Sequence, residues 1–148
     1  MLGRSAVLLV IAAKLFAAVD ELSAAREGED ALARAVSAKD KAVLSALTDE
    51  NFWVYWTAGS VARTFDAKID REDWINSVIQ LRIDSYETTV SKTDLVKRDE
   101  VIVNLDEFWT VYSPRGRRIE KHFVTRDTWL KWQGTWKLTG RISHSDLR

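Results

Sequence analysis

The chain has 148 residues, 46% of them hydrophobic, and its 22 basic side chains are balanced by 22 acidic ones. These proportions describe one globular domain and exclude a disordered tail, a collagen-like repeat and a polybasic nucleic-acid binder. The lack of cysteine excludes disulfide scaffolds, thiolate nucleophiles, zinc knuckles and iron–sulfur clusters, and two histidines, His122 and His144, leave little for an imidazole metal site. A domain of this size buries about 68–70% of its unfolded surface, enough for one core with a modest cavity and no cofactor or metal support.

Residues 1–25 carry Arg4, an apolar run from Ala6 to Ala13, an interrupting Lys14, and small residues at Ser23-Ala24-Ala25. This is the outline of a secretory signal peptide, which implies a secreted or periplasmic protein; it is equally that of an N-terminal extension packed on the domain of a cytoplasmic one. The segment is too short and interrupted to span a membrane. From Glu27, Leu32, Val36, Val43, Leu44 and Leu47 recur at helical spacing among alanines, with Asp40 as a break and N-cap between two helices. Asn51-Phe-Trp-Val-Tyr-Trp-Thr57 is aromatic and β-branched, and reads as a strand entering a turn at Ala58-Gly59-Ser60. Asp70-Arg-Glu-Asp73 resembles a capping box and opens a third helix with Trp74, Val78, Ile79 and Leu81 on its apolar side. Beyond Asp84, Tyr86 to Lys97, Val101 to Tyr112, Arg118 to Lys131 and Thr135 to His144 read as four antiparallel strands.

Two turns set registers, and register decides which side chains share a face. Ser113-Pro114-Arg115-Gly116-Arg117 suits a three-residue loop. It pairs Ser113 with Arg117 and brings Val103, Glu107 and Trp109 onto one face with Phe123, Asp127 and Trp129. Gln133-Gly134 as a two-residue loop sets Trp129 opposite Leu138, Asp127 opposite Gly140 and Phe123 opposite His144. The other face then holds Asn104, Asp106, Glu120, Arg126, Thr139 and Arg141, a mixed-charge set for solvent or a subunit contact, with Arg126 facing Arg141.

This order of elements is an α+β arrangement in which a curved, mostly antiparallel sheet wraps around three helices. On Ala38-Lys-Asp-Lys-Ala-Val-Leu-Ser-Ala-Leu-Thr-Asp-Glu-Asn-Phe-Trp-Val54, on Thr125-Arg-Asp-Thr-Trp-Leu-Lys-Trp-Gln-Gly-Thr-Trp-Lys-Leu138 and on Ser143-His-Ser145, the chain resembles the nuclear transport factor 2-like (NTF2-like) superfamily, in its bacterial SnoaL-like and DUF4440-type branch. The resemblance covers about Glu29 to Ser145 of a domain spanning 26–148. It implies a cone-shaped fold with a pocket between the concave sheet and the helices, and a homodimer through the sheet. Carried over position by position, the aspartate base of the ketosteroid isomerase relatives falls on Tyr55, their tyrosine on Leu32 and their second acid on Asp127. A neutral phenol is a poor base at pH 7, so steroid-type enolisation is disfavoured.

The residues that carry chemistry follow from the shared face. Asp127, opposite a residue without a side chain, is a candidate general acid or base in a pocket, or a structural carboxylate. Glu107, Phe123 and His144 form one row, in which His144 is a candidate proton shuttle or a histidine satisfied by Ser143, Ser145 and Asp146. Trp53, Tyr55, Trp109 and Trp129, among seven tryptophans, are candidate walls for a flat ligand, or ordinary core. Two functions remain open: a binding domain for a small apolar or aromatic molecule, or a cofactor-free SnoaL-type isomerase or lyase using Asp127 with His144 or Tyr55. Zero net charge without a basic cluster speaks against nucleic acid, and no nucleotide, zinc-protease or serine-hydrolase motif occurs.

Overall fold

The computed structural model describes the backbone of residues 3–60 and 63–145, and the side chains of residues 19–59 and 66–145. Helix α1 (Gly3–Ala38) buries one stripe, in which Ala25, Glu29, Leu32 and Val36 recur three or four positions apart and are at most 2% exposed. Lys39 turns the chain with a left-handed φ of 54°. Asp40 then caps α2 (Lys41–Leu47), its Oδ1 accepting from the Val43 amide at 3.1 Å. Helix α3 (Arg71–Gln80) starts in the same way, with Asp70 Oδ1 accepting from the Asp73 amide at 2.9 Å. It buries Trp74, Ile75 and Val78.

The strands are β1 (Thr48–Ser60), β2 (Arg63–Asp70), β3 (Arg82–Lys97), β4 (Glu100–Tyr112), β5 (Arg118–Trp132) and β6 (Thr135–Ser145), and the sheet order is β2-β1-β6-β5-β4-β3. Every neighbouring pair is antiparallel except β1 with β6. The helices cover the inner face, where Phe52, Val54, Val101, Val103, Leu105, Trp129 and Leu138 meet α1, α2 and α3 in one core. The α+β class, the three helices, the two Asp caps and the four late strands all stand as the sequence predicts. Strand β2 is the element the pattern misses. Its Arg-Thr-Phe-Asp-Ala-Lys-Ile-Asp run is half charged because it is an edge strand, where charge discourages pairing with another sheet.

The β4–β5 hairpin has the predicted register, with Val103 opposite Asp127, Glu107 opposite Phe123 and Trp109 opposite Lys121. The β5–β6 hairpin departs from it. Trp129 faces Leu138 as expected, but the register shifts at Thr128, so that Thr128 faces Gly140, Asp127 faces Arg141 and Val124 faces His144. Thr139 is the extra residue of a β-bulge, and its Oγ1 donates to the Thr128 carbonyl at 3.1 Å. Because side chains alternate, the bulge exchanges the two faces for the rest of β6. Arg141 and Ser143 turn inward, whereas Gly140 and His144 turn outward. Arg126 consequently faces Ile142 and not Arg141.

Among the described residues no helix is long and apolar enough to cross a membrane. The reading of residues 1–25 as an export signal falls largely on side chains outside the described residues. Within the described part, Ala25 is fully buried and Leu22 packs against the core.

At Gly28, α1 packs closely on a side chain of the sheet. A Cβ there would lie 2.8 Å from Cη2 of the Trp129 indole, a ring fully buried and hydrogen-bonded to Glu29. Alanine is ordinarily about 1 kcal/mol better than glycine inside a helix. Gly28→Ala is nevertheless expected to destabilise by about 1–3 kcal/mol, because the ring has nowhere to move. Denaturant midpoints of the two proteins check this.

Candidate functional site

Three strands and one helix place charged side chains together inside the sheet. Arg141 from β6 is 2% exposed and Asp127 from β5 is fully buried. They form a bidentate pair, Nε to Oδ1 at 2.8 Å and Nη2 to Oδ2 at 2.6 Å. Nη1 of the same guanidinium donates to Glu107 Oε1 of β4 at 2.7 Å, and Nη2 lies 3.9 Å from Glu29 Oε2 of α1. Glu107 is itself surrounded by donors. Tyr86 Oη from β3 donates to Oε1 at 2.6 Å and the Thr125 hydroxyl donates to Oε2, while Ser143 Oγ lies 2.9 Å from Thr125 Oγ1 and 3.3 Å from Oε2. Counting Arg141, three donors serve this carboxylate, and the Ser143 hydroxyl is shared between it and Thr125.

One guanidinium serves three acids here, and Glu29 is the acid pushed toward its neutral form. Burial raises Glu29 well above its ordinary value of 4.5, the Asp127 charge raises it further, and Arg141 only partly opposes them. As the neutral acid it hydrogen-bonds to Asp127, and its Oε1 accepts from the Trp129 indole at 2.6 Å. Burial followed by the Glu107 charge also pushes the Tyr86 phenol up, which keeps it a donor. For Arg141, burial alone would lower the pKa, but Asp127 and Glu107 outweigh it and hold the guanidinium charged. Among the described residues no buried side-chain polar atom lacks a partner.

Beside this cluster lies a cavity of about 170 Å³ between the sheet and α3. Its floor is Glu107, Arg141 and Ser143; its walls are Trp56, Trp74, Trp109 and Phe123; Leu81 and Lys121 are also in its lining and are exposed. Trp74 lies against Phe52 at 5.2 Å, edge to face, and the Arg141 guanidinium sits 5.8 Å from the Trp74 ring centre. Trp109 packs on Tyr86 with ring centres 4.2 Å apart.

Solved structures share the fold of this chain over most of their length. An NTF2-like protein of unknown function in nutrient uptake from Rhodospirillum rubrum ATCC 11170 aligns with a TM-score of 0.67 at 13% identity, covering 82% of this chain and 98% of that one. A ketosteroid isomerase-like protein from Erwinia carotovora atroseptica SCRI1043 aligns with a TM-score of 0.66 at 11% identity, covering 84% and 95%. The hexachlorocyclohexane dehydrochlorinase LinA-type3 from Novosphingobium barchaimii LL02 aligns with a TM-score of 0.65 at 14% identity, covering 88% and 89%. The fold is NTF2-like. No protein-family model and no curated protein matches the sequence.

Within the NTF2-like cone, the sequence-predicted residues divide into two groups. Glu107, Trp109 and Phe123 line the cavity together. Asp127 and Trp129 face inward as expected, but both are packed solid; the space expected beside Asp127 is filled by Arg141, and Gly140 lies instead against the Trp53 ring on the outside. The remaining candidates are on the outer face. Trp53 lines a broad, open groove there of about 1050 Å³ and has the Lys68 ammonium 5.2 Å from its ring centre. Tyr55 hydrogen-bonds to Asp66, which raises its phenol. His144 Nδ1 is 2.7 Å from the Thr57 hydroxyl and has the sheet between it and the cavity. His144 is therefore no partner for Asp127, and neither is Tyr55. Asp146 lies outside the described residues.

Sequence reasoning missed Arg141, Trp56, Trp74 and Glu29 as members of the site. The glycine inside β6 was the available signal, since a glycine in a strand interior often marks a bulge. In β1, both alternations, Phe52-Val54-Trp56 and Trp53-Tyr55-Thr57, contain aromatics, so pattern alone does not choose the inner one.

The cluster makes two predictions about stability. Arg141→Met leaves two carboxylates buried without their cation and is expected to cost about 3–5 kcal/mol, read from chemical denaturation. Glu29 has a folded pKa above its unfolded one, so the stability it supplies is present below pH 4.5 and lost as pH rises through the raised value. Glu29→Gln removes that titration, and its stability relative to the native chain is expected to improve as pH rises from 4 to 8. Urea unfolding across that range measures the trend.

Proposed function

We propose that the chain is a small-molecule-binding NTF2-like domain, non-catalytic, whose ligand occupies the aromatic cavity above Glu107 and Arg141. The observation that carries this reading is the occupancy of the floor. Glu107 already accepts from Tyr86, Arg141 and Thr125, with the Ser143 hydroxyl 3.3 Å away, and Arg141 is tied to Asp127 and Glu107, so neither is poised to abstract a proton from a ligand. A cavity of this size fits a molecule of benzene scale, as apolar cavities near 150 Å³ do, and four aromatic side chains supply its contact surface.

The alternative is a cofactor-free isomerase or lyase. It draws on the neighbours named for isomerase-like and dehydrochlorinase proteins. The acid/base pair foreseen for it, Asp127 with His144 or Tyr55, is divided between the interior and the outer face, and this weighs for the binder. The resemblance also implies a homodimer through the sheet. Phe108, Val124 and Ile142, exposed on its outer face around the Asp106–His122 pair, are what such a contact would cover.

Three of the cavity walls are tryptophans, so intrinsic fluorescence reports occupancy. Titration with indole or phenol is expected to give a saturable change with a Kd on the order of 0.1–1 mM, appropriate to ligands of so few atoms. Ser77→Phe, which projects a ring into the cavity from α3, is expected to weaken binding at least tenfold while leaving the fold intact. Absence of saturable binding to the native chain, or binding unaffected by Ser77→Phe, overturns the proposal.

A further inference from the structure

We propose that the cavity selects a cation with an apolar body, a small quaternary or tertiary ammonium compound, held among the indole rings next to a buried cluster in which three acids share one guanidinium. This rests on the binding reading above and names the ligand class for the same site.

Two independent features point the same way. The first is the walls. Trp56, Trp74, Trp109 and Phe123 come from four different elements, β1, α3, β4 and β5, and converge on one space of about 170 Å³. Aromatic faces carry negative charge density, and a cation within about 6 Å of a ring centre is attracted by it, most strongly when water is excluded. Trp74 already receives one cation in this way, since Arg141 lies 5.8 Å from its ring centre.

The second feature is the charge count beneath them. Glu107, Asp127 and Glu29 share the single guanidinium of Arg141, and all four residues are at most 2% exposed. With Glu29 as the neutral acid, two carboxylates still face one cation, leaving one negative charge in excess in a water-poor interior. An uncompensated buried charge is costly, and a cation placed a few ångströms away in the adjoining cavity offsets it.

The hydrogen-bond inventory then narrows the cation. Glu107, the carboxylate in the cavity lining, already accepts from Tyr86, Arg141 and Thr125, with Ser143 Oγ 3.3 Å from Oε2. It attracts by charge without accepting further hydrogen bonds. A primary ammonium would lose water and gain no acceptor there. An alkylated ammonium has little or no N–H to satisfy and presents methyl groups to the rings. Lys121, the remaining charged side chain of the lining, is exposed, so solvent screens its repulsion.

The test uses three molecules of nearly one shape: choline, its uncharged isostere 3,3-dimethyl-1-butanol, and the anion 3,3-dimethylbutanoate. Each is titrated into the full chain by tryptophan fluorescence and calorimetry, with Ser77→Phe as the blocked control. Choline is expected to bind at least tenfold more tightly than the alcohol, and the anion more weakly than both. Trp109→Leu is expected to reduce the choline-to-alcohol ratio at least threefold while changing alcohol binding less. Equal binding of choline and alcohol, or preference for the anion, overturns the cation proposal and leaves the binding cavity standing. If none of the three binds, and indole and phenol do not either, both proposals fall.

Discussion

The buried guanidinium of Arg141 is the contact on which the interior depends. It joins β6 to β5 through Asp127, to β4 through Glu107, and approaches α1 at Glu29, while its flat face meets Trp74 of α3. A buried ion pair is seldom a large net source of stability, because desolvation offsets most of the attraction. What it imposes is uniqueness. Any slip of β6 against β5 would strand charges in the core, so the sheet has one acceptable register, and the β-bulge at Thr139 fixes it.

That constraint also shapes the cavity. With Arg141 directed inward, its guanidinium fills the place beside Asp127, and the cavity lies nearer the α3 side, where Trp56, Trp74, Trp109 and Phe123 stand around Glu107. The polar floor is held by its own hydrogen bonds, the preorganisation that the proposed binding role calls for. Those bonds reduce the spare basicity that proton transfer needs. The proposed recognition rests on the excess of buried acids and on the aromatic walls.

Much of the fold was legible in the residues because local signals agreed with the tertiary structure. Asp40 and Asp70 announced helix starts, the Pro114-Arg115-Gly116 turn set the β4–β5 register, and Glu107, Trp109, Phe123, Asp127 and Trp129 were correctly placed inward. The failures have one physical source each. Edge strand β2 hides because its exposed side carries charge. Two aromatic alternations in β1 made Trp53 and Tyr55 look as suitable for the interior as Trp56. One extra residue in β6 reversed the faces of Gly140, Arg141, Ser143 and His144 together. A bulge adds no hydrophobic signal of its own, and a period-two reading carries straight through it.

The inward position of Arg141 is tested most directly by the side-chain Nε–H signals of the arginines in a nitrogen-15 NMR spectrum at neutral pH. Bonded to Asp127 at 2.8 Å and 2% exposed, the Arg141 Nε–H is expected to persist against solvent exchange far longer than those of the exposed Arg118 and Arg126, and to vanish in an Arg141→Lys spectrum used for assignment. An Arg141 signal that exchanges as fast as those surface arginines would contradict the account.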